Sequence, residues 1–481
     1  MDRSTSSRPP RRQFDWNRPT ARYLEDPRFI EAVLLDRQDN NPEESGNETL
    51  LEIFLDIPDF CRSSDYEHPI FDQFLTTSVL EKVRDGGFER PDNLSVWLHD
   101  TSHTSGLQLY NGAISLSEFI RLSKIRRPST GGVTDANIRK IHIPNPSPET
   151  LAVLALSSSD IQIPAVKRLM LNYLTFDTAI GLRAPSNVAN DFILEFHMPG
   201  YAWRSGQVPR EDSRPTTNNR RLRNSTDVSF LSGTGDGDPM PGLIDMLHEF
   251  HTSICVTGWN VDNWTAVCLT DSFFDDNSDP NNGNTLHFYT KENDQFMTDA
   301  MSSGRMLADK VSVKDPREYF FLVIKYRAES MAREWQKIRF KMCERIGKYV
   351  SHSVAPTSLP TIKETSTRRD STLATAQGES KVVQRNEEWI KKTNRLLTQL
   401  TIMLENNVRS WHEFYAQDID QVIHQADEQM AKRIHGSITD ITDSIDEMKT
   451  VLRKLKELRL RVDDLRQEVS LNPSVECLSP D

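Results

Sequence analysis

The nearest approach to metal chemistry in this sequence is His248-Glu249-Phe250-His251, two imidazoles beside a carboxylate. On a helix, residues three apart are surface neighbours, so both rings could face one ion. The spacing is not that of HExxH, and no third ligand stands close in sequence. A satisfied histidine pair on an amphipathic helix is therefore expected over a zinc site. The acidic run Asp271–Asn284 is the second candidate, because clustered carboxylates suit hard cations. Read as a calcium loop from Asp275, it has Pro280 where the tight turn needs Gly, and Leu286 where a bidentate Glu belongs. Asp275, Asp276 and Asp279 remain weak candidates for Mg²⁺ or Ca²⁺, and a solvated turn is the expected reading.

Six arginines (Arg204, Arg210, Arg214, Arg220, Arg221 and Arg223) crowd the stretch 204–241 among Gly, Pro, Ser, Thr and Asn. Such a set could bind phosphate, anionic lipid or an acidic partner. The turn-forming composition, without interleaved aromatics, predicts a disordered insertion instead. Of the five cysteines, only Cys255 has a His close by, His251, and its apolar setting predicts a buried thiol rather than a thiolate. No P-loop, GxGxxG, GxSxG or kinase signature occurs. No enzyme activity, catalytic residue or resident cofactor is expected from the residues.

Bulk properties narrow the class further. A net charge of −12 argues against a general nucleic-acid binder. A membrane-crossing helix needs about 20 mostly apolar residues. The longest stretch without Asp, Glu, Lys or Arg, Thr101–Ser117, is instead rich in Ser, Thr, Asn and Gly. Scattered cysteines with no CxxC pair suit a reducing, cytoplasmic compartment.

The elements that must position these residues read as follows. Residues 1–23 form a basic tail without the apolar core of a secretory signal, and are expected to be disordered. An α/β region spans 24–350, a Ser/Thr/Pro linker 351–382, a helical stalk-like region 383–471, and a polar tail 472–481. Thr150–Leu156 and Ala165–Tyr173 read as helices and Leu94–Leu98 as a strand. Phe192, Leu194, Phe196 and Met198 alternate as one strand face, and Gly242–His251 reads as a helix. Ser253–Gly258 and Trp264–Thr270 read as strands. Asp315-Pro316-Arg317-Glu318 is a helix start, with Asp as cap, Pro in the first turn, and Glu able to reach back to the cap N–H. The expected fold is α+β or α/β in its N-terminal and central region, followed by a long-helix, coiled-coil-like C-terminal region.

The last helix has the clearest pattern. Ile434, Ile438, Ile441, Ile445, Met448, Leu452, Leu455, Leu458, Val462, Leu465 and Val469 make a heptad seam with one stammer. At 1.5 Å per residue the seam is about 50 Å long. It predicts a partner helix, in the same chain or another.

Three segments, Phe192–Arg204 with the later Arg221–Leu231, Val256–Phe274, and Asp315–Trp335, together resemble a fungal family described as CorA-like magnesium transporters. The resemblance rests on Trp264, Asp271, Asp315, Pro316, Arg317, Glu318 and Trp335. It implies an α/β cytosolic domain, a long stalk helix, then two membrane helices with a Gly-Met-Asn pore signature, and Mg²⁺ as the associated ion. Here Asn472–Asp481 is polar and proline-broken, and Gly-Met-Asn does not occur. Three readings follow: an interaction or regulatory module that associates through its C-terminal helices; a CorA-like divalent-ion transporter whose membrane helices are missing from this sequence; and, least expected, a metal-dependent enzyme, which has only His248, His251 and the acidic loop behind it. Ion conduction is not expected of these residues alone.

Overall fold

In the computed structural model the described residues are 14–17, 29–30, 32–33, 49–56, 67–87, 94–101, 108–123, 137–183, 191–232, 243–275, 286, 299–302, 313–354 and 371–471. Their centre is an eight-stranded mixed sheet. The strands are β1 (Leu94–Thr101), β2 (Gln108–Ser115), β3 (Ile138–Pro144), β4 (Ala179–Arg183), β5 (Phe192–Gly206), β6 (Ser225–Asp227), β7 (Ile244–Gly258) and β8 (Trp264–Thr270). They lie in the order β2-β1-β3-β8-β7-β5-β4, with β6 added to β7. The β3–β8 pair is parallel and the other pairs are antiparallel.

Both faces of this sheet are covered. Short helices α1 (Leu50–Asp56), α2 (Glu67–Asp72), α3 (Thr77–Arg84), α4 (Leu116–Ser123), α5 (Pro148–Leu156) and α6 (Ile163–Thr175) belong to one side. Long helices α7 (Pro316–Val354), α8 (Ser371–Gln417) and α10 (Glu428–Leu471), with short α9 (Ile419–Ile423), belong to the other. Side chains on a strand alternate between faces, and the two cores divide accordingly. Phe192, Leu194, Phe196 and Met198 share one core with the long helices, whereas Ile193, Cys255, Val267 and Leu269 share the other with the short ones. The expected class, an α/β region followed by long helices, is the observed one.

The long helices form a three-helix bundle. The ion pairs Glu318–Arg433 and Lys325–Asp440 advance together along α7 and α10, so these run parallel. Tyr349 stacks on Trp389 and Phe321 meets Phe414, so α8 runs antiparallel to α7. Every seam residue from Ile434 to Leu465 is buried, as is Val451 between them. The seam packs with Met331, Trp335, Ile338 and Met342 of α7 and Leu397, Leu400, Leu404 and Trp411 of α8. Its partner is thus this chain's own bundle, the same-chain alternative of the two that the seam allows. Val469 lies in α10, but its side chain falls outside the described residues.

Several sequence expectations change. Residues 244–251 are strand, not helix, because β7 is covered on both faces and so loses the period-two signal of a half-exposed strand. The stretch 204–232 is ordered: it begins in β5, carries β6, and is held by buried ion pairs. Residues 233–242 lie outside the described residues. The tail expected at 1–23 includes a fixed segment, in which Phe14 and Trp16 are buried. Helix α7 continues to Val354 and α8 begins at Ser371, so helix occupies both ends of the expected linker. The tail 472–481 lies outside the described residues. Among them, no helix is long and apolar enough to cross a membrane.

Gly258 closes the β7–β8 turn where no side chain fits. A Cβ there would stand 2.3 Å from the Asn263 carbonyl oxygen and 2.7 Å from Trp264 Cα. Both are backbone atoms that cannot rotate away. Gly258→Ala should therefore cost about 2–3 kcal/mol in urea unfolding. A cost below about 0.5 kcal/mol, the range of an ordinary surface change, would show that the turn relaxes freely.

Candidate functional site

The chemistry-bearing residues gather where the sheet meets its helices, and Asp271 is their centre. It follows β8, whose end is placed by pairing with β3 and β7. Its Oδ1 accepts from the Tyr173 hydroxyl of α6 and lies 2.8 Å from Arg214 Nη2. Its Oδ2 accepts from Arg223 Nε at 2.7 Å and from the His251 backbone N–H at 2.8 Å. Arg214 also grips Asp212 with two N–H groups at 2.8 Å each. Arg223 donates to the Tyr173 carbonyl at 2.7 Å and lies over the Tyr173 and Phe176 rings. Two guanidinium groups thus face two carboxylates out of water, an arrangement in which each charge satisfies the others.

Burial alone would push the Asp271 carboxyl up, but Arg223 and Arg214 hold it well below the usual carboxylate range. Burial also drives the Tyr173 hydroxyl upward, so it remains a protonated donor at neutral pH. The group is built to stay fixed in one protonation state. That suits a strut better than an acid–base catalyst, whose group must exchange protons near working pH.

A second cluster lies on the same face. Glu195 of β5 receives Arg168 Nη2 at 3.0 Å, Arg168 Nε at 3.1 Å and Arg183 Nε at 2.7 Å. Against the upward push of burial, these cations help hold Glu195 far below the usual range. His197 Nδ1 is 3.0 Å from Ser253 Oγ, while its Nε2 is 3.7 Å from Glu195, beyond hydrogen-bond reach. Burial keeps His197 neutral by lowering its pKa.

The two histidines singled out by sequence part company on β7. His248 is 2.8 Å from Ser225 Oγ and stacks on Phe274, and burial lowers its pKa to about 4. His251 turns to the other face and stacks on Tyr173. Three residues apart on a strand means opposite faces, so they form no metal pair. Cys255 is buried, and burial raises its thiol, as expected of a packed hydrophobe.

The Mg²⁺ candidates fare differently. Asp275 is committed to Arg204 at 2.8 Å, and its carbonyl oxygen accepts from Arg210 at 2.6 Å. The half-exposed Asp275 carboxylate is thus paired through Oδ1 with a cation of the chain itself. Asp276 and Asp279 lie outside the described residues. Among the described residues, no group of three or more His, Cys, Asp or Glu could hold a metal ion.

The remaining motif residues tie sheet to bundle. Trp264 is buried against Tyr319 and donates from Nε1 to the Lys314 carbonyl at 2.8 Å. Asp315 caps α7, accepting from the Arg317 N–H at 2.8 Å. Buried Pro316 fills the first turn. Glu318 does not reach back to the cap; it takes Arg433 of α10 at 2.6 Å. Arg317 grips Asp315, donates to the His424 carbonyl at 2.8 Å, and lies over Trp16. Trp335 is buried, with Tyr201 of β5 edge-on to it.

Further links join the layers. Arg204 of β5 holds Glu334 of α7 at 2.7 Å, Arg345 of α7 holds Asp245 of β7 at 2.9 Å, and Asn407 of α8 donates to the Pro199 carbonyl at 2.8 Å. The roles of Arg214, Arg223 and Glu195 were not foreseen from sequence. Glu195 did carry a signal: it is the acidic residue within the apolar run Phe192–Met198, on the strand face opposite Leu194.

No family model and no curated protein matches the chain. Among solved structures it is similar to the cytoplasmic domain of ZntB from Vibrio parahaemolyticus, with 8% identity, 78% of this chain and 99% of that chain covered, and a TM-score of 0.30. It is also similar to the CorA magnesium transporter of Methanocaldococcus jannaschii, with 10% identity, coverage of 78% and 80%, and a TM-score of 0.33. The full-length CmaX protein gives 10% identity, coverage of 80% and 81%, and a TM-score of 0.32. These likenesses are distant.

Proposed function

We propose that this chain is a cytoplasmic interaction and regulatory module of the CorA-like kind, and not an enzyme. The observation that supports it most is the joining of sheet and bundle by charged struts, Arg204–Glu334 and Arg345–Asp245 above all. A displacement of the bundle is thereby passed to the sheet, which is what a regulatory module needs from its fold. Among the described residues, Asp271 and Glu195 are likewise engaged in buried ion pairs, with Arg214, Arg223 and Arg168. The seam of α10 is internal, so association through the C-terminal helices falls to their outer faces.

The test is recovery of the tagged full chain, expressed at its native level, by native mass spectrometry. A stoichiometric complex with another protein is expected. Recovery of the chain alone in every condition would overturn the reading. Mg²⁺, which comes with the family resemblance, is tested separately by calorimetry on the same chain.

A second reading is a divalent-ion transporter's cytosolic portion, supported by the uninterrupted run of α10 over Glu428–Leu471. Sequencing the full transcript decides between the two.

A further inference from the structure

A shallow groove of about 430 Å³ opens between the end of β5 and the outer side of α7. Trp203 and Ser205 line it from the sheet, and Lys337, Arg339, Phe340 and Lys341 from the helix. Three features set it apart. Phe340 is 63% exposed, an aromatic ring left in water beside the buried Trp203. Among the described residues three cations line the groove and no carboxylate does, on a chain whose net charge is −12. Lys337 has an outside partner, Glu334 at 2.9 Å. The Nε of Arg339 is shielded from water and has no hydrogen-bond partner among the described residues.

A donor shielded from water is equally shielded from an arriving carboxylate, so an acidic partner would meet the charge and the outer N–H groups of the Arg339 guanidinium rather than its Nε. An apolar floor with a rim of one charge sign is a docking surface for the opposite sign. The groove is too open to enclose most of a small molecule, as ligand pockets do. A peptide segment suits an open groove of this kind. Its partner should carry carboxylates around one large apolar side chain.

We propose that this groove docks an acidic segment of a protein partner. The segment's aromatic or aliphatic side chain seats against Trp203 and Phe340, while its carboxylates accept from Arg339, Lys337 and Lys341. This inference rests on the reading of the chain as an interaction module, and it names the partner's chemistry.

The experiment measures binding of the labelled full chain to an array of short synthetic peptides. Each carries one Phe, Trp or Leu flanked by increasing numbers of Asp or Glu, with Lys-flanked peptides as counterparts. Signal should rise with acidic flanks and be absent with basic ones. Phe340→Ala and Arg339→Gln, each checked for an unchanged circular dichroism spectrum, should each weaken binding about tenfold. Vesicles containing phosphatidylserine form a second arm. The proposal is overturned by an array signal that ignores acidity, by binding that survives both substitutions, or by no peptide signal at all. Vesicle binding through Phe340 without peptide binding would overturn it in favour of a membrane surface. If the array fails while the native chain still comes out in a stoichiometric complex, the groove is excluded and the interaction module stands.

Discussion

Leu455→Ala is expected to cost about 2–5 kcal/mol of folding free energy, with a midpoint that does not move on dilution. Leu455 is fully buried in the core that α7, α8 and α10 share. Removing its isobutyl group loses transfer free energy and leaves a cavity whose walls, three long helices bound to a sheet, collapse poorly. The concentration dependence separates two ways of burying a heptad seam. A seam shared between copies makes stability rise with protein concentration, whereas a seam closed within one chain does not. Urea unfolding at widely separated protein concentrations supplies both numbers. A midpoint that climbs with concentration would show that stability depends on association between chains, against a seam closed within a self-sufficient monomer.

Asp271→Asn should be about as damaging, at about 3–5 kcal/mol, because it leaves buried cations without their counter-charge. Asn keeps the shape, but it cannot balance both Arg223 and Arg214, now at 2.7 and 2.8 Å from the carboxylate. Asp212 still serves Arg214, so Arg223 bears most of the loss. The pH dependence has a definite sign. The folded carboxyl lies below its unfolded value of about 3.9. Its contribution is therefore fully present above that value and is lost as pH falls through the folded pKa. The gap between wild type and Asp271→Asn should be widest near neutrality and shrink below about pH 4. Glu195 is shifted in the same direction, so both proteins weaken in acid, and only their difference reports Asp271. Urea midpoints from neutral to acid pH measure it. A difference that stays constant across that range would show that the charge of Asp271 does not carry the effect.

The parts of the fold that were legible are those in which local pattern and tertiary burial agree. The alternation Phe192–Met198 gave a strand, and the Asp315-Pro316 start gave α7, since capping and first-turn chemistry depend only on neighbours in sequence. The Ile434–Leu465 stripe was visible for the same reason, because helical periodicity is local. What covers the stripe is not local, and it had to come from the folded chain.

The candidate site was legible only in pieces. The 204–232 segment read as a disordered insertion because the partner that fixes it is distant: Arg223 and Asp271 are 48 residues apart. His248 and His251 looked like neighbours because they were placed on a helix. A sheet covered on both faces removes the alternation that would have marked β7 as strand, and on a strand the two rings diverge.

The sequence by itself determined the sheet strands of clear alternation, the start of α7, the long C-terminal helices and the apolar seam, since each depends on residues within a few turns of one another. The tertiary structure alone decided that the seam closes inside the chain, that Asp271 gathers Tyr173, Arg214 and Arg223, and that a basic aromatic groove opens beside Trp203. The physical reason is range. Hydrogen-bond and packing periodicity repeat along the backbone, whereas charge pairing and core closure join residues that only the completed fold brings together.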